Sequence, residues 1–64
     1  MNNADTDDTM RLRDLIMVTR FTAIHRDTPD AKGVDTAERL AHFISVARSH
    51  GATDVDIAAA QARA

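Results

Sequence analysis

The chain has no cysteine, tryptophan or tyrosine, one proline and two glycines. Without cysteine there is no disulfide, no thiolate nucleophile and no Cys-based zinc site, which fits a reducing compartment. Two glycines, Gly33 and Gly51, cannot make the Gly-rich loop that cradles a phosphate. No apolar run approaches the roughly 20 residues that span a bilayer, so no membrane partner is expected. The start, Met1-Asn2-Asn3-Ala4-Asp5, lacks the basic and apolar stretches of a signal peptide. The default expectation is a soluble, cytoplasmic protein. A dominant charge sign is missing too. Eight basic against ten acidic residues leave a net charge of −2, where a nonspecific phosphate binder carries a basic patch.

Large apolar residues are also few. Leu, Ile, Val, Met and Phe number sixteen of 64, and the other twelve hydrophobic residues are alanines. A chain of this size buries only about 60% of its unfolded surface. With neither disulfide nor metal to help, a second chain is the natural way to thicken so thin a core. Seven Arg to one Lys and nine Asp to one Glu give the composition expected of a GC-rich bacterial or phage genome. That bears on source, not on function.

Residues 1–7 are polar and read as a disordered tail, leaving 8–64 as a single small helical domain. Asp8 or Thr9 can cap a first helix that runs to about His25, with Arg20, His25 and Arg26 near its negative end. Asp27 to Gly33, with Pro29 inside, forms the hinge of a helical hairpin, with room for one short turn. A second helix opens at Asp35-Thr36-Ala37-Glu38, an Asp variant of the capping box, and stops at Gly51. Its apolar arc holds Ala37, Leu40, Ala41, Phe43, Ile44 and Ala47; Glu38, His42, Ser45 and Ser49 lie opposite. A third, alanine-rich helix, about Asp54 to Arg63, is capped by Thr53 with Asp56 as reciprocal partner. Val55 and Ile57 point to different sides of it.

The fold class expected is therefore all-α: a helical hairpin plus a short C-terminal helix, completed by oligomerisation. The first segment holds half the large apolar residues and is apolar almost all round. Met10, Met17, Phe21 and Ile24 form one stripe; Leu12, Ile16 and Ala23 form another about 120° away. Leu15 and Val18 fall between polar positions. A helix of this kind wants cover on more than one side. The competing reading is a strand, because Ile16, Val18, Thr19, Phe21, Thr22 and Ile24 are β-branched or aromatic. No other run in the chain pairs with it, so a strand would need its own copy.

Catalytic and metal sites find little support. His42 and His50 are separated by about 80° of helix and do not converge, so a solvated polar face accounts for them better than a ligand set. His25 fits a dipole-favoured cation or a loop contact. Ser45 and His42 have no acid behind them and no oxyanion site. No cofactor is expected, and the chain is not read as an enzyme.

Nucleic acid offers two alternatives. The stretch from Ala47 to Ala58 runs helix, Gly51, a small residue, the Thr53 cap and an acidic-Ile-Ala run. It resembles the first two helices of a helix-turn-helix over about a dozen residues. That family then needs a recognition helix in the major groove, and the remaining residues supply only Arg63. The strand reading instead suggests a ribbon-helix-helix-like β-α-α dimer, with Arg11 and Arg13 reaching bases from one face of a ribbon. As solvated charges flanking Leu12, the two arginines need no DNA. The reading preferred is a non-enzymatic protein–protein interaction or assembly module, a homodimer or a subunit, acting by helix-on-helix burial through Met10, Met17, Phe21 and Ile24. The adaptability of methionine leans the same way. The plain alternative is that this stripe is intramolecular core.

Overall fold

In a computed structural model, residues 3–28 and 35–64 are described. They form three helices, α1 (Asn3–Asp27), α2 (Thr36–Ser49) and α3 (Asp54–Ala62). No strand occurs among them. The segment for which a ribbon was the alternative lies wholly inside α1. A helix satisfies its own backbone groups, whereas a lone strand does not, and this outweighs the β-branched content. The hinge around Pro29 lies outside the described residues.

Helix α1 begins at Asn3, ahead of the start expected at Asp8 or Thr9. Residues 3–7 of the polar segment expected as a tail lie in its first turns. No glycine or proline interrupts them, and Asp7 and Asp8 sit near the positive end of the dipole. Asp8 also pairs with Arg11 at 2.9 Å, one turn on.

The boundaries of α2 and α3 follow their local signals. The Asp35 carboxylate accepts from the Glu38 N–H at 3.0 Å. At the other end Gly51 has φ +96°, the left-handed region that only glycine enters cheaply. The Gly51 N–H donates to the Arg48 carbonyl and the Ala52 N–H to the Ala47 carbonyl, both at 3.0 Å. This pair of bonds is the Schellman motif, and Ala52 completes it by packing in one buried cluster with Ala47. Thr53 then opens α3 with a full capping box. Its N–H donates to the Asp56 carboxylate at 3.0 Å, and its hydroxyl accepts from the Asp56 N–H at 3.2 Å. Those bonds to Thr53, the backbone one first, hold the Asp56 carboxyl below its ordinary range.

Helix α2 runs antiparallel to α1. His25 Nδ1 is hydrogen-bonded to Thr36 Oγ1 at 2.9 Å at one end of the pair. His50 Nδ1 is hydrogen-bonded to Asp14 Oδ2 at 2.6 Å at the other. After the corner, α3 runs back along α1, and the Thr19 hydroxyl donates across the seam to the Ala60 carbonyl at 2.8 Å. The core is small: Val18, Ala47, Ala52, Ile57 and Ala60 are buried, with Leu15 and Ile44 packed against the cluster. Phe21 stacks on Phe43 with ring centroids 5.4 Å apart. The radius of gyration is 12.3 Å, against about 10.7 Å for a compact domain of this length. The excess comes from α1, whose 25 residues outrun both shorter helices.

The line of α1 that enters the core is Leu15 and Val18, neither of them in the two stripes that the helical wheel makes most conspicuous. Val18 is fully buried. The polar positions beside it disguise this face, and three of them are consumed by contacts between helices: Asp14 with His50, Thr19 with Ala60 and His25 with Thr36. His50, read as part of a solvated face, is one of these contacts.

Candidate functional site

The candidate site is the surface of α1 that the other helices leave open. On a wheel of 100° per residue, α2 lies over the side of Asp14, Phe21 and His25, and α3 over the side of Leu15 and Thr19. The two apolar stripes are then the flanks beyond each neighbour. Arg13 and Arg20, both exposed, form a polar ridge between them.

The flank beside α2 carries Met10, Met17, Phe21 and Ile24. Phe21 turns inward onto Phe43. Met17 lines a hollow of about 340 Å³ with Met10, Arg13, Phe43 and His50. Met10 and Ile24 are 44% and 39% exposed, so this stripe is engaged within the chain at its middle and open at its ends.

The flank beside α3 is more open. Leu12 and Ile16 are 60% and 54% exposed. They stand at the edge of a groove of about 450 Å³ between α1 and α3, whose floor includes Leu15 and Ala60. Ala59 gives the far wall, with Asp56 near one end and Arg63 near the other. The alanines of α3 make this wall low, since a methyl group lets a neighbouring backbone approach closely. Val55, one turn before Ala59, is 76% exposed. The stripe of Leu12 and Ile16 was visible in the sequence. Its α3 wall was not, because nothing in the spacing of Asp56, Ala59 and Arg63 shows that α3 folds back along α1.

Arg11 and Arg13 do not share a face, because residues two apart on a helix are about 200° apart. Arg11 is half-buried and bonded to Asp8, with Nη1 3.8 Å from where a Cβ on Gly51 would stand. Arg13 lies on the α2 side. The paired projection that a ribbon would give them is absent from this helix.

The α2 residues His42 and Ser45 are exposed, and the His42 ring meets the edge of Phe43. Among the described residues no three His, Asp or Glu side chains come together as a metal-binding group. Nor is any helix among them long and apolar enough to cross a membrane. No protein-family model, curated protein or solved structure matches this chain.

Proposed function

We propose that this protein is a non-enzymatic interaction module that works by burying one helix face against another helix. One observation carries the reading: Leu12 and Ile16 stand side by side, more than half exposed, at the rim of an apolar groove. Single exposed apolar residues are ordinary, whereas a contiguous pair beside a concave apolar surface supports a docking reading. The scarcity of buried large side chains sharpens the point. A chain with so thin a core leaves two of its best core formers outside.

The test is the double substitution Leu12→Glu with Ile16→Glu. If the flank is a docking surface, the variant keeps its helicity, and its urea midpoint moves by less than about 1 kcal/mol of stability, as for exposed sites. If the circular dichroism of the variant is that of an unfolded chain, these residues are core and the module has no surface to work with.

A further inference from the structure

We infer that the α1–α3 groove takes one amphipathic helix of a different protein, laid antiparallel to α1 with an acidic first turn at Arg63 and a basic last turn at Asp56. This inference rests on the interaction-module reading and names the chemistry of the partner. Three observations point to it.

The first is spacing. The groove is lined from α1 by Leu12, Leu15, Ile16 and Thr19, and from α3 by Asp56, Ala59, Ala60 and Arg63. Both sets run i, i+3, i+4, i+7, so each is one stripe of its helix, about 10 Å long. Two such stripes side by side make a trough for a third helix over about two turns, with apolar anchors at the same spacing. The alanines let it approach closely. Val55, exposed one turn before Ala59, extends the apolar rim on the α3 side.

The second is polarity. The corner before α3 stands beside Arg11, whose Nη1 is 3.8 Å from where a Cβ on Gly51 would lie, and α3 then reaches Ala60 level with Thr19. Helix α3 therefore runs parallel to α1, and their dipoles point the same way. A third helix in the trough is favoured antiparallel to both. The charges select the same direction. Arg63 and, one turn beyond Ile16, Arg20 stand at one end, both exposed and without an ion pair among the described residues. At the other end the Thr53 N–H takes one oxygen of the Asp56 carboxylate and leaves the second to accept. Arg11, the cation there, is bonded to Asp8. Helices favour acids in the first turn and bases in the last, and only the antiparallel placement sets both against opposite charges.

The third is what the chain itself offers. A second copy's α1, paired about a two-fold through this groove, would carry its own α3 into the place of the first, because α3 lies level with the same stretch of α1. The outward residues of α2, Glu38, His42, Ser45 and Ser49, are exposed and polar. Helix α3 is nine residues long and turns Val55 and small alanines outward. The anchors that fit the trough therefore come from another protein.

Fluorescence anisotropy of the full chain with a labelled, acetylated and amidated peptide of about 14 residues tests this. The peptide is alanine-based, with leucines at i, i+3, i+4 and i+7, glutamates in its first turn and lysines in its last. The expected result is saturable binding. Leu12→Glu weakens it at least ~tenfold while the helicity of the chain is retained. Arg63→Glu weakens it about fivefold, yet leaves unchanged the binding of a peptide whose glutamates are replaced by glutamine. No binding at about 1 mM chain overturns the inference. Binding indifferent to Leu12→Glu does so too, as does an Arg63→Glu effect that is the same for both peptides. Sedimentation of the chain alone as a dimer that Leu12→Glu dissolves also overturns it and assigns the groove to a second copy. Any of these results with a helical Leu12→Glu, Ile16→Glu variant overturns the stated partner alone. Unfolding of that variant overturns the module reading with it.

Discussion

The corner between α2 and α3 and the long helix α1 are specified in different ways. At the corner, the chain turns from one helix into the next within residues 50–53, and short-range hydrogen bonds settle the exposed backbone groups. Gly51 takes a left-handed conformation, and Thr53 and Asp56 exchange two bonds. Each instruction is written in a residue type at a fixed spacing. Helix α1 is specified by its faces instead. It is apolar on several sides, and which side becomes core is decided by what packs on it. The corner shows that local hydrogen-bond chemistry can be read one residue at a time. Helix α1 shows that an all-round apolar helix cannot.

The largest test breaks the α1 side. Val18 is fully buried, so Val18→Asp places a carboxylate in the core with no partner. A loss above ~4 kcal/mol is expected, enough to unfold so small a domain. Far-ultraviolet circular dichroism at 25 °C should show an unfolded chain, in contrast to the helical Leu12→Glu, Ile16→Glu variant. Equal behaviour of the two variants would erase the distinction between the inside and the flank of α1.

A smaller effect belongs to the corner. Gly51→Ala meets open space, its nearest contact being Arg11 Nη1 at 3.8 Å, so any cost is backbone strain at φ +96°. That strain is about 1–2 kcal/mol, read as a lower urea midpoint with an unchanged slope. No change in midpoint would mean that the glycine does not specify the turn.

The smallest effect is on acidity. The Asp56 carboxyl is held below its ordinary value of 3.8 by its bonds to Thr53. A carboxyl depressed in the folded state contributes its stability above the unfolded value and loses it as pH falls through the folded one. The helical signal of α3 should therefore weaken below about pH 4, and Asp56→Asn should flatten that part of the acid titration. An identical acid profile in the variant would show that the capping box is spectator geometry.

Much of the architecture was legible in the sequence, and the reason is local. The caps at Asp35 and Thr53 and the stop at Gly51 need no knowledge of the rest of the chain. The split of Val55 from Ile57 follows from helical periodicity. The candidate site was legible only in part. Leu12 and Ile16 stand out as a stripe, but so do Met17 and Phe21, and only the position of α2 shows that Phe21 meets Phe43. Asp14, Thr19 and His25 hid the buried face because polar residues at helix positions usually signal solvent. Here their partners lie 36, 41 and 11 residues away, beyond the reach of any spacing rule.

The Thr19–Ala60 bond has a consequence for how the chain becomes ordered. It closes a span of 41 residues, whereas the Ala52–Ala47 bond at the corner closes five. By the logarithmic dependence of closure entropy on length, the longer loop costs about 2 kcal/mol more to close. The corner is thus the inexpensive closure and the α1–α3 seam the expensive one. That seam is also the floor of the groove that Leu12 and Ile16 edge.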